Sequence, residues 1–307
     1  MDRLDAMTVL VAVAEAGSLS AGARRLHMPL ATVSRKVADL EAHLGTRLLD
    51  RSSRRISPTE AGRSYLDACR RILDDIGEAE REASGEYVVP KGGLTVSAPI
   101  VFGRLHVLPI VLAFLQAYPD IDIRLPLADG MIDLAEEHVD LAVRIASLPD
   151  SSLVARRVGE LRRLVCASPA YLEQRGRPTR PSDLSGHDCI TFVGMATPDA
   201  WSFASDAAEQ VAIRSRLMVN TAEAAIDAAV AGIGVTRVLS YQAEHAIRDG
   251  LLEIVLHDFE PAPLPVQLVH RGGRLLPLKL RAFIDFAVPR LKASLASLST
   301  AREGHAP

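Results

Sequence analysis

The sequence predicts an N-terminal all-α winged helix-turn-helix domain and a long linker helix, joined to a C-terminal α/β domain of two lobes. Three observations carry this prediction. Residues 1–57 hold three helical patterns in close succession and then a basic hairpin pattern. A helical pattern then runs from Thr59 to about Ala83. From Leu94 onward strand and helix patterns alternate over roughly 200 residues, room for two lobes.

The opening stretch "MTVLVAVAEAG" imitates an export signal, but "MDRLD" before it carries Asp2 and Asp5 against Arg3, where a signal peptide needs a positive start. Leu4, Met7, Leu10, Val11 and Ala14 follow helical spacing instead, and Gly17 is placed to stop the helix. Ser20 can cap a second helix, and Pro29 opens a third, where a missing N–H costs little. On the third helix Val33, Val37, Leu40 and Leu44 form an apolar stripe ended by Gly45. Its other face holds Ala31, Arg35 and Asp39, flanked by Thr32 and Ser34. "TRLLDRSSRRISPT" then reads as two short strands around a basic tip, Asp50 to Arg55, broken at Pro58.

Thr59 can cap the long helix. Along it Leu66, Cys69, Leu73 and Ile76 keep a spacing of three and four, which suits pairing with a second copy or packing on the same chain. "SGEYVVPKGG" (84–93) reads as a hinge linker. Beyond it "LTVSA", "IDIRLPL", "VDLAVRI", "LRRLVCAS", "DCITF", "RLMVN" and "IGVTR" read as strands in mainly parallel sheets. Helices are expected from Phe102 to Ala117, about Met131 to His138, Thr221 to Ala231 and Leu278 to about Leu298.

Composition narrows the function classes. With 48% hydrophobic and 24% charged residues the chain is an ordinary globular one, and no run approaches the roughly 18 uninterrupted apolar residues of a membrane span. Cys69, Cys166 and Cys189 are odd in number, far apart and without a CxxC, so a reducing cytoplasm is expected, without disulfides or zinc. His187 and Cys189 lack a second ligand pair, and no metal or other cofactor is implied. There is no G-x-S-x-G, P-loop or G-x-G-x-x-G, and the adjacent Ser, His, Asp and Cys of "SGHDC" do not make a triad, so an enzyme is not expected.

The formal net charge is −3, yet from Arg24 to Arg63 nine basic residues face four acidic ones. Screening confines charge effects to about 10 Å, so this local excess is what phosphate would meet. Two helices joined by a tight turn, the second exposing short polar and basic residues, suit a major groove. Leu30, Ala31, Thr32, Ser34 and Arg35 are the expected readers, with Arg51, Arg54, Arg55 and Thr59 on or beside the wing. The bland alternative is a three-helix core with a solvated basic face.

The run "AVAEAGSLSAGARRLHMPLATVSRKVADLEAHLGTRLLDRSSRRISPTEAG" resembles the DNA-binding domain of LysR-type transcriptional regulators almost without gaps over 1–62. "VSAPIVFGRLHVLPIV", "VDLAVRIASLPDSSLVARRV", "VCASPAYL" and "VNTAEAAIDAAVAGIGVTRVLSYQ" resemble, more diffusely, the effector-binding half of that family. Three positions depart from it: Leu30 where Gln or Pro is frequent, Gly22 where Ala is usual, and Ala146 where Gly is common. Leu30 leaves an apolar contact in place of a base hydrogen bond, and Gly22 costs about 1 kcal/mol of helix propensity.

The resemblance implies a helix-turn-helix at about 18–37, a wing at about 46–57 and a linker and dimerisation helix at 59–83. It also implies an effector domain at 94–300 resembling periplasmic solute-binding proteins. Lobe I is expected at about 94–160 and 266–298, and lobe II at about 161–265. The implied partners are double-stranded promoter DNA, a small-molecule effector, further copies of the chain as dimer or tetramer, and RNA polymerase if the protein activates. On their own terms Ser97, Ala98, Pro99 and Thr221 mark two helix starts at strand ends, which are receptive to a carboxylate-bearing ligand. Simple N-capping is the alternative for Ser97 and Thr221. Arg144 and Arg237 either face the cleft or pair with acids. An exported solute binder shares the second half's fold but has no use for residues 1–90.

Overall fold

The computed structural model describes residues 2–50, 56–84, 89–130, 134, 138–147, 153–192, 200–204, 210–272 and 276–300. Arg51, Arg54, Arg55 and most of the helix expected from Met131 to His138 lie outside them. The chain divides into two compact units, Met1–Gly93 and Leu94–Pro307.

In the first unit α1 (Arg3–Ala16), α2 (Leu19–Arg25) and α3 (Leu30–Leu44) surround a core of Ala6, Val9, Leu10, Val13, Val33, Val37 and Leu40. Gly17 and Gly45 end α1 and α3 at φ +67°, the left-handed conformation that glycine adopts without strain. The expected stripe on α1 is met in part: Leu10 is buried and Met7, Val11 and Ala14 pack partly buried against the core, whereas Leu4 is exposed and Ala6, Val9, Ala12 and Val13 join the buried face. Apolar residues fill more than one face of this helix, so spacing alone does not fix the buried one. Leu44 is also exposed, in the last turn of α3.

The cap of α2 is Ser18, not Ser20. Ser18 is extended and its hydroxyl accepts from the Ala21 N–H at 3.1 Å, whereas Ser20 lies inside the helix. Pro29 stands one residue before α3 and lends its carbonyl to the N–H groups of Thr32 and Val33. Gly22 has a packing reason. A Cβ there would lie 2.8 Å from Val13 Cγ2 and 2.9 Å from Val13 Cα, so its absence lets α2 close onto α1.

The hairpin strands are β1 (Leu49–Asp50) and β2 (Ser57–Pro58), antiparallel. Pro58 pairs with Leu49 rather than breaking the strand, which an edge position tolerates. Glu41 Oε1 accepts from the N–H groups of Leu48 and Leu49 at 2.8 and 3.0 Å, fastening the hairpin to α3. The Ile56 N–H donates to the Gly17 carbonyl at 2.9 Å, fastening it to the end of α1. The long helix is α4 (Glu60–Ser84).

The second unit opens with β3 (Gly92–Ser97), α5 (Ile100–Phe102), a π-helical turn over Gly103–Val107, and α6 (Leu108–Ala117). Then come β4 (Ile121–Arg124), β5 (Leu141–Ile145) and β6 (Leu153–Leu161). Mean hydropathy over Ile100–Ala117 reaches 1.8, enough by composition for a membrane span. Yet Phe102, Val107, Ile110, Val111 and Phe114 are buried in the lobe I core.

Lobe II holds β7 (Arg163–Ala167), α7 (Pro169–Arg175), β8 (Cys189–Phe192), β9 (Ala200–Ser202), β10 (Gln210–Ala212) and β11 (Ser215–Val219). It continues with α8 (Ala222–Val230), β12 (Val235–Leu239), α9 (Ser240–Arg248) and β13 (Glu253–Val255). The chain then returns to lobe I as β14 (Leu264–Arg271) and α10 (Leu278–Thr300).

The two five-stranded sheets run β4-β3-β5-β14-β6 and β11-β8-β12-β7-β13. They are mixed, not mainly parallel. β8 is parallel to β11 and β12, and β3 to β5, but β14 is antiparallel to β5 and β6, and β7 to β12 and β13. The strands that enter directly from the other lobe, β7 and β14, run against their neighbours, an orientation that needs no helical crossover.

The join between hairpin and α4 gives a stability test. A Cβ on Gly62 would stand 1.9 Å from the Leu48 carbonyl oxygen, a backbone atom already accepting from the Thr59 N–H. Gly62→Ala should therefore destabilise the protein by about 1–3 kcal/mol. Gly93→Ala, with nothing within 4 Å of its added Cβ, should stay within about 0.5 kcal/mol. Urea unfolding of both variants checks this.

Candidate nucleic-acid interface and ligand site

On α3, Leu30, Ala31 and Arg35 are exposed and Thr32 and Ser34 half-buried, so the expected readers share one open side of the helix. Lys36, the next residue, turns the other way and pairs with Asp5 of α1. Arg25 likewise pairs with Glu15 at 2.8 Å. The local positive charge is thus smaller at the surface than the sequence count suggests. Beside the readers a groove of about 560 Å³ is lined by Ser20, Ala23, Arg24, His27, Met28, Pro29 and Leu30. Ser20, Arg24 and His27, which the sequence analysis did not single out, are brought beside Leu30 by the fold.

Thr59 is occupied otherwise. Its hydroxyl donates to the Arg47 carbonyl at 2.8 Å and accepts from the Gly62 N–H at 2.9 Å, capping α4 and holding the hairpin. That commits the hydroxyl to the fold rather than to DNA. Leu66 and Cys69, expected at a dimer seam, are 2% and 0% exposed within the core of their own unit. The first turns of α4 pack on α1, so these two residues are intrachain. Further along, Ile72 is 40% exposed, with Leu73 and Ile76 half-buried.

In the second unit the helix start after Ser97 is already filled. Ala98 bridges to Leu127, which brings the turn beyond it back over the helix, and Asp129 Oδ1 accepts from the Ile100 N–H at 3.0 Å. This end carries an anion of its own and is not an open anion site. Burial, followed by the charges of Asp129 and Glu223, pushes the Tyr241 phenol up.

Thr221 accepts from the Ala224 N–H at 3.2 Å, an ordinary N-cap, with Glu223 in the same first turn. Arg144 donates to the Gly130 carbonyl at 3.1 Å, bracing lobe I. Arg237 is 6% exposed and donates to the Ser202 carbonyl at 3.2 Å, and it pairs with no acid among the described residues. Ser97 is buried at the end of β3, before Ala98 and Pro99. His187 meets the Tyr171 hydroxyl at 3.3 Å, and Cys189 donates weakly to the His187 carbonyl, so both are structural. Burial pushes the Cys166 and Cys189 thiols up to about 12.

Two features at the join of the lobes had no sequence signal. Arg162 forks onto Glu260 through its Nε, at 2.6 Å, and its second amino group, while its carbonyl accepts from the Ser240 N–H at 2.9 Å. Tyr241 packs into the lobe I core, edge-on to Phe102 at 5.4 Å and to His106 at 5.7 Å.

Residues 4–63 match the family described as bacterial regulatory helix-turn-helix protein, lysR family, and residues 89–292 match the LysR substrate binding domain. An HTH-type transcriptional regulator of Xanthomonas campestris is 36% identical over 288 residues, covering 92% of this chain and 84% of that protein. Among solved structures, CrgA from Neisseria meningitidis, a LysR-type transcriptional regulator, is 32% identical with a TM-score of 0.59, covering 94% of this chain and 98% of that one. The Vibrio cholerae virulence activator AphB is 29% identical with a TM-score of 0.59, covering 93% and 98%.

The burial of Leu66 predicts a core defect when it is truncated. Leu66→Ala should cost about 2–5 kcal/mol in urea unfolding, whereas Leu4→Ala, at an exposed position on α1, should stay within about 0.5 kcal/mol. Equal small effects would return Leu66 to a free seam.

Proposed function

This chain belongs to the LysR family of transcriptional regulators, and on that premise we propose how its residues divide the work. The protein is a sequence-specific DNA-binding regulator whose C-terminal domain takes a small-molecule effector. Members of the family bind promoter DNA and form oligomers.

In our reading Ala31, Thr32, Ser34 and Arg35 of α3 enter the major groove, and Leu30 offers an apolar surface to a thymine methyl. Arg24 and Arg47, with the wing residues Arg51, Arg54 and Arg55, hold phosphates. The observation that carries this is the contrast between neighbours: Arg35 is exposed, whereas Lys36 is spent on Asp5. The protein works in the cytoplasm, and RNA polymerase is its further partner where it activates.

The dimer forms through the part of α4 that the head's own core does not use, Ile72, Leu73 and Ile76. The effector lies between the lobes, beside Ser97, Ala98, Pro99 and Tyr241. The acidic charges of Asp129 and Glu223 there favour a hydrogen-bond-donating part of the ligand.

Titration of operator and random DNA at several salt concentrations tests the division. Arg35→Ala should lose roughly 1–3 kcal/mol on the operator and little on random DNA. Arg54→Ala should weaken both about equally and lower the salt slope by about one. Equal loss of specificity in the two variants would refute the assignment.

The seam is tested separately. Ile76→Glu places a charge in the proposed interface, so sedimentation should show monomers and operator affinity should fall sharply. A dimer with normal affinity would place the interface elsewhere.

A further inference from the structure

Antiparallel pairing of β7 with β12 sets Arg237 opposite Val165 and Leu239 opposite Arg163. Partners in a ladder share a face, so the two arginines stand diagonally on one face of the lobe II sheet, about 7–8 Å apart at the backbone. Trp201 of β9 covers the same place: it is fully buried, and the Arg237 guanidinium lies 5.2 Å from its ring centre.

The hydrogen bonds of this cluster do not close. Arg237 spends one N–H on the Ser202 carbonyl. Its Nε, and the indole Nε1 of Trp201, are buried without a partner among the described residues. Neither arginine meets a carboxylate among those residues. The same lobe neutralises cations where it has an acid to do so, since Asp188 takes Arg175 at 3.1 Å and Arg216 at 2.9 Å.

Burial, and then the charge of Arg163, pull Arg237 down to about 9. Guanidinium groups nevertheless keep their proton in proteins, so the strain is relieved by a counter-charge rather than by deprotonation. Every unsatisfied group here is a donor, and two of the three side chains are cationic. The missing partner is therefore an acceptor and an anion. The free Nε edge of Arg237 is half of the fork that grips a carboxylate through two parallel hydrogen bonds.

We propose that Arg163, Arg237 and Trp201 form an anion-binding site in lobe II that takes the carboxylate of a small organic acid. It rests on the effector reading above for its regulatory meaning. It also explains why the helix start at Ile100, already capped by Asp129, is not where that charge goes.

Trp201 is the only tryptophan in the chain, so intrinsic fluorescence reports on this site directly. The full-length protein is titrated with sodium acetate and, separately, with sodium chloride at matched ionic strength, following Trp201 emission and the unfolding temperature. Acetate should change the emission saturably and raise the unfolding temperature. Arg163→Met should weaken the response at least tenfold, and Arg237→Met should abolish it. Should Arg237→Met fail to fold by circular dichroism, the partly exposed Arg163→Met carries the test.

No saturable response to acetate, an equal response to chloride, or unchanged acetate affinity in Arg163→Met would overturn the site. A promoter reporter that still follows the effector in that variant would leave the broader regulatory reading standing while this site falls.

Discussion

The ligand-binding half depends on one ion pair. Arg162 lies between β6 and β7, where the chain first leaves lobe I, and Glu260 lies on its way back between β13 and β14. Their two-pronged contact is mostly buried, with 19% and 12% of the side chains exposed. Charge-assisted hydrogen bonds of this kind contribute about 1.5–3 kcal/mol each, and the planar fork cannot be reproduced by lysine. The Arg162 carbonyl also holds the first residue of α9. One residue thereby sets both crossings and the start of the helix that brings Tyr241 to the core of lobe I.

The DNA-binding half uses neutral and charged caps to the same end. Its hairpin is too short to be stable alone. Glu41 holds it from α3, Gly17 from the end of α1, and Thr59 from the head of α4. Residues that read in sequence as helix punctuation therefore also place the wing. This is why the hydroxyl of Thr59 and the missing side chain of Gly62 belong to the architecture of the surface rather than to its chemistry.

Much of this was legible in the sequence, and the misses have physical causes. Gly17, Gly45 and Thr59 could be read directly because capping is local: a left-handed φ or a hydroxyl three residues from its donor needs no tertiary context. The buried face of α1 could not, because an alanine- and valine-rich helix satisfies several phases at once. Leu66 and Cys69 follow a heptad spacing, but spacing does not say which helix answers it. At Ser97 and Thr221 the sequence located helix starts correctly. It could not reveal that Asp129, some 30 residues away, would fill the first, whereas Glu223 beside Thr221 stood in the sequence itself. Arg237 was marked for the cleft by its place at a strand end. Its neighbour across the ladder, Arg163, and its cover, Trp201, are joined to it only by strand register and by the fold.

The continuity of α4 sets how the reading heads tolerate their target. Its first turns are built into the head's own core through Leu66 and Cys69, and the same unbroken 25-residue helix carries the apolar side chains of Ile72, Leu73 and Ile76. At 1.5 Å per residue that is a rod of about 37 Å. Between head and seam it offers no loop whose torsions could turn. In the proposed dimer the distance and rotation between two heads are therefore set by a helix. One extra base pair between half-sites rotates the second by about a tenth of a duplex turn. A jointless rod cannot follow that rotation, so the burden of adjustment falls on the bending of the DNA.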